Sequence, residues 1–278
     1  GFSSMPRDPG YYRDRFAAQD SQHEERDIYN APQFTFAAGA LHSSLYSLAL
    51  TFAGNRFPHY RHHRPLNAWR EAACWLRGGL RKVWFQAAER SISERLKGPL
   101  SGKYFLHPLQ VHCDAQFEHA PFDTPEQVME HLMASFAQHA PSDVSLVIKH
   151  HPMDRAYRDY SGFIRALQER HGLRDRVFYV HDLHLPTLLK NARGTVLMNS
   201  TVGISSLFHG TPVKALGSAV FGIDGLTASC SLEEFWTAPP AVDTGLFQAF
   251  RRSLLELNQF RGSFHVRTRP ETSTGVQW

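Results

Sequence analysis

The second half of the chain alternates short apolar runs with longer stretches of mixed polarity. The apolar runs predict strands at Tyr104–Leu109, Ser145–Lys149, Val177–Val180, Thr195–Met198 and Val213–Leu216. The stretches between them predict helices at about 124–139, 157–171, 185–192 and 200–209, followed by a last helix at about 244–260. Short strands that alternate with helices of this length indicate βαβ units and a parallel sheet. We therefore predict an α/β fold, with a Rossmann-like domain at residues 100–278.

The first half of the chain shows helical spacing and no evident strand. The sequence predicts an initial loop, a helix at about 34–53, a basic turn around Pro58 and Pro65, and a long helix at about 66–96. Apolar residues recur in the long helix at the spacing of an amphipathic helix, at Trp69, Ala73, Leu76, Leu80 and Val83. The pair Gly78-Gly79 predicts a bend or a break in this helix. Residues 1–99 are therefore predicted to be a helical segment that is basic and rich in aromatic side chains.

The composition is that of a globular protein. Of the 278 residues, 42% are hydrophobic and 20% charged, which excludes a disordered or fibrous chain. The longest apolar stretch, Phe34 to Ala53, is interrupted by Ser, His and Gly and does not predict a membrane span. The chain begins without Met and without a signal-peptide pattern, so we expect an upstream segment. Three widely spaced cysteines indicate reduced thiols in the cytoplasm. The sequence contains neither an HExxH nor a CxxC motif, so it does not predict a metal site.

Basic and aromatic residues are concentrated between Arg56 and Trp84. The arginines that we single out as candidates for contact with an anionic partner are Arg61, Arg64, Arg70 and Arg77. Interleaved Arg, His and Trp side chains suit an anionic membrane surface or an anionic substrate, and a solvated helix face is the alternative interpretation. Nucleic acid is not predicted as a partner, because no DNA- or RNA-binding motif accompanies the cluster.

The loop after the first predicted strand contains a candidate catalytic carboxylate. In a parallel sheet the loops after the strands share one edge, and ligands bind outside the carboxyl ends of the strands. This loop carries Gln110, Asp114 and Gln116. The Asp114 carboxylate is a nucleophile toward an anomeric carbon, a general base, or a loop cap, and the residues alone do not decide between these roles.

The loop after the second predicted strand carries cationic groups. Lys149 ends the strand and is followed by His150, His151 and Pro152. The ammonium supplies charge and each imidazole can donate to a phosphate or carboxylate oxygen, so this loop is a candidate anion site. Since successive side chains of an extended chain point to opposite sides, we expect at most one of the two imidazoles to face the ligand.

Two further loops follow the third and fourth predicted strands. After the third, we expect Asp182 to cap the next helix, with contact to a ligand as the alternative. After the fourth, Asn199, Ser200 and Thr201 lead into a helix whose free N–H groups and dipole favour a phosphate, while a plain hydroxyl cap is the alternative. Gly203 is expected to permit the close approach of a ligand, and the glycine-rich stretch at 216–227 to close over it.

Taken together, the strings PLQVHCDAQ, VIKHHPMD, NSTVGISSLFHGTPVKALG and FGIDGLT resemble the capsule polysaccharide synthesis family, and more narrowly its KpsS/LipB-type β-Kdo transferases. The strings SSMPRDPGYYR, HYRHHRPLNAWREAACWLR and LEEFW are similar to the same family, so the resemblance covers nearly the whole chain. It implies a GT-B-like fold of two Rossmann-type domains, with the donor nucleotide bound mainly by the C-terminal one. It also implies retaining transfer of Kdo from CMP-β-Kdo to a phosphatidylglycerol-type lipid or to a growing Kdo chain.

The same resemblance implies roles for residues of these loops. Asp114 is implied as the catalytic carboxylate, and His151 with Pro152 matches the HP motif of the family. The implied donor-binding set is Gln110, Gln116, Lys149, His150, His151, Pro152, Asn199, Ser200 and Thr201. Within it, Ser200 and Thr201 hold the CMP phosphate and the two glutamines flank the sugar. Since the sequence shows no metal-ligand cluster, we expect a metal-independent reaction without a cofactor.

The resemblance places the protein in the cytoplasm, associated peripherally with the inner membrane. The partners it implies are a nucleotide-sugar donor, a phospholipid acceptor, an anionic membrane surface and other capsule assembly and export proteins. The chain departs from the expected family pattern in two ways. The N-terminal Rossmann-like domain that the resemblance implies lies outside this chain, and the stretch Gly203–Ser206 contains no Glu that could bind a ribose.

Three alternatives stay open: a transferase that uses another nucleotide sugar, a non-catalytic export or assembly protein, and a nucleotide-sugar epimerase.

Overall fold

The computed structural model describes residues 5–19, 36–53, 56, 59, 68–257, 261–263 and 266–271. Its first helices are α1 (Pro9–Gln19), α2 (Phe36–Ala53), α3 (Ala68–Ala88) and α4 (Arg90–Lys97). Strands and helices then alternate as β1 (Tyr104–Pro108), α5 (Pro125–His139), β2 (Ser145–Lys149), α6 (Ser161–His171), β3 (Val177–Val180), α7 (Leu185–Asn191), β4 (Gly194–Leu197), α8 (Val202–Phe208) and β5 (Val213–Ala215). The chain continues through α9 (Leu232–Thr237), α10 (Thr244–Leu257) and a hairpin of β6 (Arg261–Ser263) and β7 (Val266–Glu271).

Strands β1 to β5 form one parallel sheet in the order β3-β2-β1-β4-β5. In the register of the central strand, Leu106 lies beside Val147 of β2 and beside Thr195 of β4. This is the strand order of the Rossmann-type fold, in which the connection from β3 to β4 takes the chain to the other half of the sheet and the switch point lies between the neighbouring strands β1 and β4. The predicted α/β fold with a Rossmann-type parallel sheet is therefore confirmed.

Side chains on both faces of β1 are buried, which explains its continuous apolar run. Phe105 packs on one face, in a cluster with residues of α5, α6 and α9. Tyr104 and Leu106 pack on the opposite face, in a cluster with residues of α4 and α7. Strands that are covered on both faces lose the alternation of polar and apolar residues, so the sequence shows an unbroken hydrophobic segment.

The predicted strands agree with the observed ones to within one residue at each end. The structure also contains elements that the sequence pattern did not predict. Helix α1 lies where a loop was expected, because its polar and aromatic residues follow no clear apolar period. The short helix α9 begins at a capping box, in which the Ser231 hydroxyl accepts from the Glu234 N–H and the Glu234 carboxylate accepts from the Ser231 N–H.

The break predicted at Gly78-Gly79 is wrong, because α3 runs through both glycines to Ala88, and the alternative of a bend stays a prediction. A Cβ on Gly78 would lie 3.6 Å from the side chain of Ala156, which is an ordinary van der Waals contact, so packing does not require a glycine there. The helical segment is interrupted at Glu89 instead, and α4 begins with the next residue.

Contacts group the described chain into two compact units. The parallel sheet and helices α4 to α9 lie in the first unit, within residues 78–247. Helix α2 and the β6–β7 hairpin lie in the second unit. The functional division predicted at residue 99 stays a prediction.

Gly203 lies in α8 where an aromatic ring occupies the space of a side chain. A Cβ on Gly203 would be 2.3 Å from Cζ and 2.4 Å from Cε2 of Phe221. Phe221 is fully buried, so its ring has little room to move. A glycine is therefore required at this position by packing against the buried Phe221 ring, and not by the approach of a ligand.

Gly203→Ala is expected to lower the free energy of unfolding by about 1–3 kcal/mol, because the methyl group overpacks the core against Phe221. Urea unfolding followed by circular dichroism measures the change. Gly79→Ala is the matched control, because a Cβ there meets nothing within 4 Å. That control should leave stability unchanged or raise it by up to about 1 kcal/mol, since alanine favours a helix over glycine. Equal stabilities of the two variants would contradict the packing argument.

Candidate functional site

The carboxyl ends of four parallel strands bring the predicted functional loops to one edge of the sheet. β1 lies between β2 and β4, and the connections that leave β1 and β4 lead to opposite halves of the sheet. A crevice forms at such a switch point, because the two loops diverge instead of running side by side. The loops after β1 and β4 are therefore the first place to look for a ligand site.

A hydrogen-bonded network joins these two loops. The Gln110 side chain is buried, and its Nε2 donates to Asn199 Oδ1 at 3.0 Å and contacts Asp114 Oδ2 at 3.3 Å. Asn199 Nδ2 in turn donates to the backbone oxygen of Gln116 at 3.3 Å. Four of the predicted site residues thus lie together at the switch point, and Gln110 connects the two loops.

Asp114 has a structural role in this network. Its Oδ1 accepts the backbone N–H of Gln116 at 2.9 Å and thereby caps a 3-10 helix at Ala115–His119. The loop-cap interpretation is thus realised. A carboxylate offers about four lone-pair sites, so one backbone bond and one long amide contact leave it able to interact with a ligand. The residue is half-buried rather than enclosed.

The loop after β2 separates its two imidazoles, as the extended chain predicted. His150 is buried, with Nδ1 2.6 Å from the Tyr179 hydroxyl, and burial together with nearby His181 lowers its pKa to about 3. His151 is half-buried, and its Nδ1 accepts the Met153 N–H at 3.2 Å. His151 is consequently the imidazole that the solvent side of the loop can reach, beside the exposed Pro152.

Lys149 is a buried cation at the end of β2. Its Nζ donates to the His150 backbone oxygen at 3.4 Å, which is a long hydrogen bond for an ammonium group. Burial lowers its pKa, an effect that the negative charge of nearby Asp182 opposes. An anion placed close to this ammonium would favour the protonated form and would offset part of its desolvation.

The loop after β3 differs from the expectation. Asp182 does not cap α7, whose N-cap is His184, but forms an ion pair with Arg155 of the neighbouring loop. Both side chains are largely buried, so neither is available as a free surface charge. The predicted capping role is wrong because a cation from the loop after β2 reaches the carboxylate.

Glu89 supports this loop, and sequence reasoning missed it. Its carboxylate accepts the backbone N–H groups of His181 at 2.7 Å and Asp182 at 3.0 Å, and it contacts His181 Nδ1 at 2.9 Å. The residue is buried. The nearby Phe85 ring stacks on the His181 imidazole with centroids 3.6 Å apart. The sequence contains no signal for this role, because Glu71 and Glu94 stand in the same helical stretch and nothing near Glu89 indicates a loop 92 positions away.

At the start of α8, side-chain hydroxyl groups are more available to a ligand than backbone N–H groups are. The N–H groups of Gly203 and Ile204 donate to the backbone oxygens of Ser200 and Thr201, each at 3.0 Å. The Ser200 hydroxyl lies 3.4 Å from the Val202 N–H, and the exposed Thr201 makes no side-chain capping bond. The hydroxyl groups of Ser200 and Thr201 are therefore the main groups that this helix start offers to a phosphate.

The predicted basic residues are described in part. Arg70 and Arg77 are exposed on α3, whereas Arg61 and Arg64 lie outside the described residues. Within the described part of the chain, no group of three His, Cys, Asp or Glu side chains is arranged to hold a metal ion. The expected metal-independent reaction stays a prediction.

The amino-acid sequence matches a known protein family and several of its members. The model of the capsule polysaccharide biosynthesis proteins matches residues 1–265. The chain belongs to this family. It is 38% identical over 265 residues to the capsule polysaccharide export protein KpsS of Escherichia coli, with 95% of the chain and 67% of KpsS covered. It is 36% identical over 269 residues to the capsule polysaccharide modification protein LipB of Neisseria meningitidis serogroup B, with 95% of the chain and 63% of LipB covered. The chain thus spans about two thirds of the length of these capsule proteins.

Solved structures are more distant from this member of the family. The β-Kdo 2,7-transferase KpsC of Thermosulfurimonas dismutans is 18% identical with a TM-score of 0.37, and 65% of this chain and 57% of KpsC are covered. HepE of Anabaena, in complex with UDP-glucose, is 18% identical with a TM-score of 0.34, and 45% of this chain and 34% of HepE are covered.

Glu89→Ala is expected to lower the free energy of unfolding by about 3 kcal/mol, because it leaves buried N–H groups of His181 and Asp182 without an acceptor. Chemical unfolding measures the effect. Glu94→Ala is the matched control: its side chain is 75% exposed and, among the described residues, pairs with Lys97 on the same helix, so a change within about 0.5 kcal/mol is expected. A Glu89→Ala protein as stable as this control would contradict the proposed support of the loop.

Proposed function

We propose that the chain is the donor-binding part of a glycosyltransferase of capsule polysaccharide biosynthesis. The proposed reaction is retaining transfer of Kdo from CMP-β-Kdo to a phosphatidylglycerol-type lipid or to the growing Kdo linker. The observation that carries the proposal is the network of Gln110, Asp114 and Asn199 at the switch point of a Rossmann-type sheet. The proposal is supported by the half-buried Asp114 at the sheet edge, because folds of this type bind nucleotides at that edge and the chain belongs to the capsule family.

In the proposed mechanism Asp114 is the nucleophile. A carboxylate oxygen attacks the anomeric carbon of Kdo, and the bond to the phosphate oxygen of CMP breaks with its electrons leaving on CMP. The covalent intermediate is then attacked by the acceptor hydroxyl on the opposite face, so two inversions give net retention. The Gln110 amide and the Gln116 N–H hold the carboxylate in place, which limits the rotation that attack would otherwise have to overcome.

The donor brings two anionic groups, the phosphate of CMP and the carboxylate of Kdo. Lys149 and His151 after β2, and Ser200 and Thr201 before α8, lie on strand ends on either side of β1. A cation in a buried position attracts an anion more strongly than a solvated one does, because the local dielectric constant is lower. We propose that these side chains bind the two anionic groups, with Asn199 and the glutamines beside the sugar.

A non-catalytic role in capsule export or assembly is the second candidate. It is favoured by one observation: Asp114 caps the 3-10 helix, and this structural role would explain an aspartate there without any role in catalysis. The name of the relative KpsS as an export protein points in the same direction. The two candidates differ in whether the carboxylate charge of Asp114 matters beyond the fold.

We also propose that α3 holds the protein at an anionic membrane. Large apolar side chains recur on this helix at helical spacing and are exposed, namely Trp69, Leu76, Leu80, Val83 and Trp84. Arg70 and Arg77 are exposed on the same helix. No described helix is both long enough and apolar enough to cross a bilayer. Binding in the interfacial plane, with the apolar side chains in the lipid and the arginines near phosphates, fits this combination.

Asp114→Asn separates the two candidate functions, because asparagine also caps helices and so preserves the local fold. The full-length protein is incubated with CMP-Kdo and a phosphatidylglycerol-type acceptor, and the product is identified by its mass. We expect the variant to lose transfer by about a thousandfold, whereas Asp175→Asn, which changes an exposed carboxylate, should retain full activity.

Other outcomes of this experiment identify the alternatives. Wild-type transfer from CMP-sialic acid or a UDP-sugar, with none from CMP-Kdo, would indicate another donor. Turnover without an acceptor would indicate an epimerase. An Asp114→Asn protein that supports normal capsule formation would favour the non-catalytic role.

Neutralising both arginines in Arg70→Gln/Arg77→Gln should weaken binding to vesicles that contain phosphatidylglycerol. Each cationic side chain near an anionic surface contributes about 1 kcal/mol, so we expect a loss of about thirtyfold in vesicle affinity. Co-sedimentation measures it, and neutral phosphatidylcholine vesicles should show little difference. Arg170→Gln/Arg174→Gln, which neutralises two exposed arginines near α6, is the charge-matched control. An equal loss in both double variants would rule out a specific role for α3.

A further inference from the structure

A buried carboxylate holds His112, which stands two residues before the proposed nucleophile in the sequence. Asp154, which is 1% exposed, follows the HP motif on the loop after β2. Its Oδ2 accepts the backbone N–H of His112 at 2.7 Å, and its Oδ1 lies 2.7 Å from His112 Nδ1. Both carboxylate oxygens therefore bind one residue, so the backbone and the ring of His112 are fixed together.

This contact determines which nitrogen of His112 can accept a proton. An ionised carboxylate only accepts hydrogen bonds, so Nδ1 carries the hydrogen that Asp154 binds. In the neutral ring Nε2 then bears the lone pair. The side chain is 22% exposed, which leaves the ring accessible from solvent. An aspartate that binds Nδ1 and leaves Nε2 as the acceptor is the arrangement by which histidine acts as a general base.

The local backbone keeps His112 close to Asp114. The Asp114 N–H donates to the Val111 oxygen at 3.0 Å and closes a tight turn with His112 and Cys113 at its centre. The Cα atoms at the ends of such a turn, Val111 and Asp114, lie within about 7 Å of each other, so His112 and Asp114 belong to the same four-residue turn. The network through Gln110 holds the same unit from the side of β4.

We propose that His112 is the general base that deprotonates the acceptor hydroxyl, with Asp154 as its positioning residue. The proposal rests on the transfer reaction proposed above. In its second step the acceptor oxygen forms a bond to the anomeric carbon and the bond from that carbon to Asp114 breaks, returning an electron pair to the carboxylate. The hydroxyl proton passes to His112 Nε2, and the imidazolium formed is paired with Asp154 until the proton leaves to solvent.

The first step needs no such base. The attacking carboxylate has no proton to lose, and CMP departs as a phosphate anion that is stable without protonation. Loss of His112 should therefore slow the second step selectively. A residue that only supported the fold would slow both steps, because it would displace Asp114 as well.

His112→Asn tests the proposal, because the asparagine amide can still donate to Asp154 while it lacks a basic nitrogen. The full-length variant is mixed with CMP-Kdo and acceptor, and CMP release, transfer product and the mass of the protein are followed over time. We expect one equivalent of CMP to be released at nearly the wild-type rate, a Kdo adduct to accumulate on Asp114, and steady-state transfer to fall by about 10²–10³-fold.

Azide distinguishes a base from a structural residue, because this anion attacks carbon without losing a proton. Added azide should restore steady CMP release in His112→Asn and in a second variant, His112→Gln, with formation of a Kdo azide. His131→Asn, which changes an exposed histidine on α5, is the matched control and should behave as the wild type does.

The outcomes separate this proposal from the one on which it rests. Absence of both transfer and adduct in the wild-type protein would defeat the proposed function itself. With an active wild type, the assignment of His112 is overturned if its variants transfer at the wild-type rate, or if CMP release and transfer fall together and azide restores neither.

Discussion

The parallel orientation of the five strands is the constraint on which this molecule depends. Each βα unit returns the chain to the same end of the sheet, so every loop that follows a strand meets the others at one edge. Because the order is β3-β2-β1-β4-β5, the loop after β1 has the loop after β2 on one side and the loop after β4 on the other. The side chains of one short loop can therefore contact both neighbours.

Side chains of the loop after β1 contact both neighbouring loops. Gln110 reaches the β4 side through Asn199, and His112 reaches the β2 side through Asp154. Asp114 lies at the end of the same turn. Burying these polar groups without partners would cost several kcal/mol, so the hydrogen bonds that satisfy them also fix the position of the loop. The hydrogen bonds that stabilise this edge of the sheet are thus the same ones that fix the position of the proposed catalytic carboxylate.

The sequence was sufficient for the sheet and for the loops at its edge, because continuous apolar runs and amphipathic spacing are local signals. It was also sufficient to separate His150 from His151, since alternation along an extended chain is geometric. The contacts of Asp182, Glu89 and Asp154 were not predictable in this way. Each joins residues that are distant in sequence, and no local pattern shows which cation or N–H group a carboxylate will reach.

The capping role of Asp114 and its proposed catalytic role do not compete. A carboxylate that accepts one backbone N–H through Oδ1 is held in a single orientation while its charge is retained. A nucleophile benefits from both properties, because attack requires a defined approach to the anomeric carbon and an unprotonated oxygen. Free rotation would be the less favourable state for catalysis, since ordering the side chain would then add to the barrier. A helix cap is in this sense a way to orient a reacting group, and the cap alone cannot distinguish a structural aspartate from a catalytic one.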